Sequence, residues 1–248
     1  MICDAHVHVG YFNCCKCGGV AYYSPRRIVG VLNRCCVDEF VFSSTTAQVE
    51  GIHVADVIRE AKEVKRLAGK RAHPFLWLSW QFYCEDPGLY VLEEGLFEGV
   101  KLHETEGRWV QSHRYELERI LNRVEGLGMP VQFHSGPDEY CRPAVLMKVA
   151  DWHPNVRFDF AHCRPMGEMA AVIAKRKNVW TDTAYFSSDD FPRLNDYEWD
   201  GRLMFGSDLP AWQAATDCSL TQWYRSCVRW ATKERKSWRD SFYKYLYG

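Results

Sequence analysis

The stretch ICDAHVH (residues 2–8) decides the fold, because its pattern returns along the 248-residue chain. It is a strand-sized apolar run that ends in His6 and His8, whose side chains share a face if the run is a β-strand. Turn residues bound each such run, as they do between strands. We predict eight strands from this rhythm: 2–8, 37–44, 72–80, 97–104, 129–135, 156–162, 178–184 and 202–208.

Helical patterning fills the segments between these runs. In ADVIREAKEVKRLAG (55–69) apolar residues recur on one face and Gly69 ends the helix. Segments 114–128, 142–152 and 164–177 have similar patterns. Strands that alternate with helices indicate a parallel sheet, and eight such units in about 250 residues match a (β/α)8 barrel. A doubly wound open sheet is the alternative, but no G-x-G-x-x-G turn follows the first run.

The sequence therefore predicts an α/β protein, a single (β/α)8 TIM barrel over residues 1–248. From Ser219 onward the chain has a helical pattern, and Trp238, Phe242, Tyr245 and Leu246 recur at helical spacing. We expect these C-terminal helices to close the barrel with their aromatic face.

Composition and charge exclude several classes of protein. Apolar residues make up 47% of the chain and the formal net charge is −1, so no strong field gathers nucleic acid or an anionic membrane. No apolar stretch reaches the length of a membrane span, and no secretory signal opens the chain. We expect a cytoplasmic protein that acts on a small molecule and binds neither nucleic acid nor membranes. A homodimer is left open.

The eleven cysteines are an odd number in a chain of this kind, which argues against a disulfide framework. The cluster of Cys14, Cys15 and Cys17 has two interpretations. We favour free thiols in a reducing compartment. The alternative is a soft-metal site, but no second Cys pair at zinc-finger spacing accompanies it.

Polar residues stand at the ends of predicted strands, where buried parallel strands should be apolar. The first strand ends with His6 and His8, and the fourth carries Lys101 and His103 on one face. The fifth, sixth and eighth end with His134, His162 and Asp208. The carboxyl ends of all strands meet at one rim of a (β/α)8 barrel, so we expect these side chains to converge. Imidazole and carboxylate groups gathered there predict a metal site.

Five motifs, in order along the chain, resemble those of the amidohydrolase superfamily: DAHVH (4–8), GVKLHE (99–104), VQFHS (131–135), FAHCRP (160–165) and FGSDLP (205–210). The chain is most similar to the amidohydrolase-2 group, which includes aminocarboxymuconate-semialdehyde decarboxylase. The resemblance implies a metal-dependent enzyme of TIM-barrel fold whose metal ligands are His6, His8, His134 and Asp208. It also implies that Asp208 exchanges a proton with the attacking water.

The resemblance leaves the number of metals open. In members with one metal, it implies that His162 polarises the metal-bound water. In members with two, it implies that His162 binds the second ion together with a carboxylated Lys101. The motif GVKLH does not show carboxylation, and an uncarboxylated Lys101 could hold a substrate carboxylate. We favour one metal, and imidazoles with one carboxylate suit Zn²⁺, with Mn²⁺, Fe²⁺ or Co²⁺ as alternatives.

Residues near the predicted rim bear on the substrate. The candidates for contacting it are Arg164, His103, Lys101 and Trp212, and an arginine fork binds a carboxylate well. Three functions stay open. We favour a metal-dependent hydrolase that acts on an amide, lactone or ester-like bond of a small, carboxylate-bearing substrate. The alternatives are a decarboxylase that uses the same metal and a catalytically silent barrel that binds a ligand.

Overall fold

The computed structural model describes residues 1–14, 19–211, 219–231 and 235–248. Cys15, Cys17 and Trp212, all singled out in the sequence, lie outside these ranges. The described strands are β1 (Cys3–Cys14), β2 (Gly19–Tyr23), β3 (Glu39–Ser44), β4 (Ala72–Trp77), β5 (Gly99–Leu102), β6 (Val131–His134), β7 (Phe158–Ala161), β8 (Val179–Asp182) and β9 (Leu203–Met204). They form one sheet in the order β2-β1-β3-β4-β5-β6-β7-β8-β9. The β1–β2 pair is antiparallel and every other neighbouring pair is parallel.

Helices connect the parallel strands from β1 to β8, as crossover connections require, and a 3-10 turn lies between β8 and β9. The described α-helices are α1 (Pro25–Arg34), α2 (Val54–Ala68), α3 (Trp80–Glu85), α4 (Glu104–Gly107), α5 (Arg114–Gly126), α6 (Pro143–Trp152), α7 (Met166–Lys175), α8 (Leu220–Ala231) and α9 (Arg235–Tyr247). Short 3-10 turns cover Thr45–Gln48, Gly69–Arg71, Tyr90–Glu94 and Phe191–Asp196. Within the described parts of the chain, no helix is both long enough and apolar enough to cross a membrane.

The apolar pattern of the sequence determines which faces are buried. All six residues of β4 are buried, as expected for a strand covered on both faces. Helix α5 buries Leu117, Ile120, Leu121 and Val124, which is the face predicted for segment 114–128. The helices predicted over 55–69, 142–152 and 164–177 are likewise confirmed as α2, α6 and α7.

Two predicted strands run into short helices, and the last predicted strand, 202–208, ends early, because β9 ends at Met204. The predicted strands 72–80 and 97–104 give way at residues 80 and 104 to the short helices α3 and α4. In the first case Ser79 is the cause, because its hydroxyl accepts the backbone N–H of Phe82 and so caps a helix start. The other predicted strands overlap β1, β3 and β6 to β9, in the predicted order.

The sequence missed β2. Strand β1 does not stop at His8 but continues to Cys14, and its second half pairs antiparallel with β2. Gly10 permits this departure from the parallel sheet, because its φ of 102° favours glycine. A Cβ at this position would also lie 2.4 Å from Thr46 Oγ1. The described sheet therefore has nine strands where eight were predicted.

Backbone hydrogen bonds join β1 to the chain around and beyond β9. The N–H of Ala5 donates to Phe205 O, and the N–H of His8 donates to Leu209 O, each at 2.7 Å. The sheet is therefore curled until its first and last parallel strands meet. This mixed α/β architecture is consistent with the predicted TIM-barrel fold.

The last helix packs against one end of the curled sheet. Phe242, Tyr245 and Leu246 of α9 form an apolar cluster with residues of five strands: Cys3, Ala5, Val41, Phe75, Trp180 and Met204. The Arg157 guanidinium holds the end of α9 by donating to Tyr245 O at 2.7 Å and Leu246 O at 3.0 Å. The aromatic stripe seen in the sequence is thus the buried face of this helix.

Candidate active site

The end of β1 and the turn after β9 bring together three side chains that could hold a metal. His6 and His8 are alternate residues of β1. His6 Nε2 lies 3.0 Å from His8 Nε2. Asp208 Oδ1 lies 3.1 Å from His8 Nε2 and 3.6 Å from His6 Nε2. The Asp208 N–H donates to His6 O at 2.8 Å and so holds the turn against the strand. All three side chains are buried.

These distances fit a single divalent cation. A tetrahedral zinc ion with bonds of about 2.0–2.1 Å holds its ligand atoms roughly 3.3 Å apart. The donor atoms of His6, His8 and Asp208 are close to that spacing, and imidazole nitrogen and carboxylate oxygen are donors that zinc accepts. Three protein donors leave a fourth position for water or substrate, as catalytic zinc sites do.

Two polar residues orient the imidazoles of the first strand. Asp182, the last residue of β8, places Oδ2 2.8 Å from His6 Nδ1. The Ser43 hydroxyl lies 3.0 Å from His8 Nδ1. With Nδ1 of His6 donating its proton to the carboxylate, Nε2 keeps its lone pair for a metal. Neither residue was predicted from the sequence, although Asp182, like Asp208, is a carboxylate in the last part of a predicted strand.

His134 and His162 form a neighbouring pair. His162 Nε2 lies 3.0 Å from His134 Nδ1, at the ends of β7 and β6. The His134 ring stacks on His103 at 3.9 Å between centroids, and Trp77 also stacks with His103, at 5.6 Å. His134 therefore lies beside His162 rather than within the trio of His6, His8 and Asp208. A second trio within 4.8 Å joins His6, His162 and Asp182, and in the described chain His134 belongs to neither.

Lys101 lies between these groups. Its ammonium is 3.2 Å from His6 Nε2 and 5.8 Å from the centroid of Trp77, and the side chain is buried. Burial lowers the pKa of Lys101 to about 8, although three carboxylates oppose the shift: Asp182, Asp208 and Asp159. The lysine predicted on the fourth strand is thus in contact with the site, on the strand that is β5 of the observed sheet.

Burial also favours the neutral form of four imidazoles of the site. It lowers the pKa of His6 and of His103 to about 3, with the positive charge of Lys101 adding to the effect, and lowers that of His134 and His162 in the same direction. Neutral imidazoles have a free nitrogen lone pair, which metal binding requires.

The pKa of the Asp208 carboxyl is lowered, which favours its charged form. Burial by itself raises the pKa of this carboxyl, but the hydrogen bond from His8 and the nearby imidazoles of His6 and His162 outweigh burial and lower it. An ionised carboxylate beside neutral imidazoles is the protonation state that a divalent cation binds.

The site opens onto a cavity of about 320 Å³, which is lined by His6, His8, Lys101, His103, His134, His162 and Asp208. Lys101, His103, Arg164 and Asp208 all face it, so the structure brings together every predicted substrate residue that it describes. Arg164 is anchored on one side, since its guanidinium donates to Tyr185 O and lies 5.1 Å over the Tyr185 ring. Lys101 and Arg164 give the cavity two cationic side chains against the carboxylate of Asp208.

The backbone is strained where the cavity forms. His162, Tyr185 and Asp208 have φ values of 75°, 63° and 56°, in the left-handed region that disfavours side chains. Such strain is common at functional sites, where the surrounding structure holds a residue in a rare conformation.

Buried histidines and carboxylates at the carboxyl edge of a curled parallel sheet define an α/β enzyme. The chain belongs to the amidohydrolase family: a family model described as Amidohydrolase matches residues 88–227, more than half of its length. The resemblance seen in the sequence motifs is thereby confirmed. No curated protein matches the chain.

Solved structures share this fold. A probable 2-pyrone-4,6-dicarboxylic acid hydrolase from Acinetobacter baumannii has a TM-score of 0.66 at 12% identity, covering 99% of this chain and 98% of its own. An amidohydrolase from Burkholderia multivorans with bound zinc has a TM-score of 0.64 at 14% identity, covering 99% of both chains. A 4-oxalomesaconate hydratase from Rhodopseudomonas palustris has a TM-score of 0.64 at 12% identity, covering 99% and 95%.

Proposed function

We propose that this chain is a metal-dependent hydrolase that acts on an amide, lactone or ester-like bond of a small, carboxylate-bearing substrate. The observation that carries the proposal is the approach of His6 Nε2, His8 Nε2 and Asp208 Oδ1 to within 3.0–3.6 Å of one another. Zinc is the metal proposed, since the donor set suits it and the Burkholderia multivorans amidohydrolase contains it.

We also propose that the curled sheet closes into a complete barrel. The hydrogen bonds between β1 and the chain beyond β9 support a closed (β/α)8 barrel made by one domain over residues 1–248. Packing of α9 against the strand residues at one end supports its role as a closing helix. The cavity then lies at the carboxyl ends of the strands, where barrel enzymes bind their substrates.

One bound metal is proposed, held by His6, His8 and Asp208. His134, the further ligand that the resemblance implies, would make four protein ligands, and water or substrate would then be the fifth. When bound, the metal supplies Lewis acidity, which activates water and polarises a carbonyl oxygen. Asp208 takes the proton of the attacking water and passes it to the leaving group. His162 contacts His134 and lines the same cavity as Asp208, from which it can share that proton.

Substrate binding is assigned to the cationic side of the cavity. The guanidinium nitrogens of Arg164 that do not bind Tyr185 O can pair with a carboxylate. Lys101 adds a second positive charge, and His103, which stacks with Trp77 and with His134, lines the same cavity. Trp212 is proposed as a further contact. The Acinetobacter baumannii relative is named as a probable hydrolase of a dicarboxylic acid, and an anionic substrate for this chain is consistent with that name.

Metal analysis and a substrate panel test the function. We expect purified protein to contain one zinc ion per chain and to hydrolyse some members of a panel of lactones, amides and esters that carry carboxylates. Removing the metal with a chelator should abolish activity, and adding zinc should restore it. His6→Ala and Asp208→Asn should lose both metal and activity, while His53→Ala, an exposed histidine distant in sequence from these strands, should keep both.

The alternatives predict different results. Release of carbon dioxide without net addition of water identifies a decarboxylase. Absence of stoichiometric metal, with no activation by added zinc, overturns the proposal and favours a silent binding barrel. The expected size of the purified protein is that of a monomer or homodimer, and size-exclusion chromatography with light scattering distinguishes them.

A further inference from the structure

Asp4 is a buried carboxylate that accepts three hydrogen bonds next to the metal site. Its Oδ1 accepts from the backbone N–H of His6 and of Ser207, each at 3.0 Å. Its Oδ2 accepts from the Tyr224 hydroxyl at 2.8 Å. Asp4 and Tyr224 are both fully buried, and neither belongs to the residues that line the cavity.

The two backbone groups belong to the segments that carry the proposed metal ligands. His6 is a ligand itself, and Ser207 immediately precedes Asp208. His6 O in turn accepts from the Asp208 N–H at 2.8 Å and from the Ser207 hydroxyl at 3.3 Å. Asp4 Oδ1 therefore bridges β1 and the chain beyond β9 where the ligands lie.

Tyr224 fixes the orientation of the Asp4 carboxylate. A carboxylate held through one oxygen can turn about its Cβ–Cγ bond, and the Tyr224 hydroxyl removes this freedom by holding the other oxygen. Both groups are fully buried, so no water competes for this hydrogen bond. The Tyr224 ring is itself positioned edge-on to Phe205, with centroids 6.4 Å apart. Helix α8 thus reaches the metal site through one hydroxyl group.

We propose that Asp4 and Tyr224 form a positioning pair that sets the spacing between the His6 and His8 imidazoles and the Asp208 carboxylate. Loss of the Tyr224 hydroxyl alone then weakens metal binding, although this residue touches neither metal nor substrate. The inference rests on the proposed metal-dependent function. Residues that hold metal ligands in place typically change metal affinity by about 10- to 100-fold when they are replaced.

The first test compares two tyrosine-to-phenylalanine variants. Tyr224→Phe removes the hydroxyl that binds Asp4. Tyr245→Phe is the matched control, because Tyr245 is also buried in a C-terminal helix but its hydroxyl has no hydrogen-bond partner among the described residues. Zinc affinity is measured by competition with a chromophoric chelator, and unfolding by urea is measured on the metal-free proteins. We expect Tyr224→Phe to bind zinc about 10- to 100-fold more weakly and Tyr245→Phe to bind it as the wild type does.

A second test separates positioning from general stability. Cobalt(II) replaces zinc, and its visible absorption spectrum reports the arrangement of the ligands. The spectrum should change in Tyr224→Phe and stay unchanged in Tyr245→Phe. Asp4→Asn keeps an oxygen for the two backbone N–H groups and offers an amide to the Tyr224 hydroxyl, so it should lose less affinity than Asp4→Ala. If the two residues act as a unit, adding Tyr224→Phe to Asp4→Ala should cause little further loss.

The outcomes are distinguishable. If the wild type binds no zinc, both the proposed function and this inference are overturned. If the wild type binds zinc and Tyr224→Phe matches it in affinity and cobalt spectrum, only the positioning pair is overturned. If Tyr224→Phe does not fold, Asp4→Asn and Asp4→Ala decide the question. Equal zinc affinity in these two variants and the wild type contradicts the pair.

Discussion

His6 Nδ1 lies 2.8 Å from Asp182 Oδ2, and this contact determines which nitrogen of His6 faces the cavity. Both side chains are fully buried, so no water competes for either group. Burial by itself raises the pKa of Asp182, but the imidazoles of His6 and His162 outweigh burial and lower it, which keeps the carboxylate ionised. An ionised Asp182 accepts a hydrogen bond from the Nδ1–H group of His6. The neutral imidazole then keeps its lone pair on Nε2.

Asp182→Asn tests this orientation directly. The amide can keep an oxygen for the backbone N–H groups of His162 and Ala184, but it then presents an NH₂ group to His6. His6 must accept that hydrogen at Nδ1, which places its proton on Nε2, where the metal should bind. We expect zinc affinity to fall about 10- to 100-fold with the fold retained. Isothermal titration with zinc measures the change, and Asp196→Asn, at an exposed position, is the control. Unchanged affinity would sink the proposed role of Asp182.

Gly206→Ala should disturb the same pair by crowding. A Cβ at residue 206 would lie 2.9 Å from Asp182 Cγ and 3.0 Å from His6 Cβ, closer than real Cβ contacts, so at least one of these side chains must move. We expect a larger loss of zinc affinity than of stability, measured by zinc titration and by urea unfolding. Gly126→Ala is the matched control because its Cβ would meet no atom within 4 Å. A variant that binds zinc like the wild type contradicts this prediction.

Lys101→Met tests the number of metals. The Lys101 ammonium lies 3.2 Å from His6 Nε2, so an uncarboxylated lysine competes with a metal for this lone pair. Removing the positive charge of Lys101 also makes the site more negative, because the nearby carboxylates are no longer offset, and this favours a cation. We therefore expect one zinc ion per chain in both proteins and tighter binding in the variant. Elemental analysis and intact-mass spectrometry check this. Two zinc ions in the wild type, a mass increase of one carbon dioxide, and loss of a zinc ion in Lys101→Met would establish the binuclear alternative.

The Glu98 carboxyl gives a prediction about pH that is independent of the metal. Burial raises the pKa of Glu98, but hydrogen bonds from His73 Nδ1 and Lys65 Nζ outweigh burial and lower it. A carboxyl with a depressed pKa in the folded state stabilises the protein above its unfolded value of about 4.3 and loses this contribution as the pH falls.

Glu98→Gln should therefore lower the free energy of unfolding by about 1 kcal/mol at pH 7, and this difference from the wild type should shrink as the pH falls below about 4. Urea unfolding at several pH values measures it. Glu94→Gln, at an exposed position, should show neither effect. A difference that grows on acidification contradicts the direction of the pKa shift.

The sequence reveals strand ends but not the contacts between them. His6 and His8 are found because alternate residues of a strand share a face, and Asp208 because it ends the last predicted strand, although β9 itself ends at Met204. The contact of His6 with Asp182 joins residues 176 positions apart, and it depends on how the sheet curls. No local pattern contains that information. The β2 strand was missed for a local reason, since Gly10 allows β1 to leave the sheet without a break.

Arg164→Met tests the assignment of the substrate carboxylate. Arg164 is anchored through Tyr185 O and lies at the cavity, so its free nitrogens meet an anionic group without a large loss of side-chain freedom. Hydrogen bonds to charged groups contribute about 1.5–3 kcal/mol, so we expect KM for carboxylate-bearing substrates to rise roughly 10- to 100-fold. Zinc content should stay unchanged. Arg142→Met is the matched control, because Arg142 is exposed and paired with Glu168 at 2.6 Å. Equal losses on substrates with and without a carboxylate would show that Arg164 does not recognise this group.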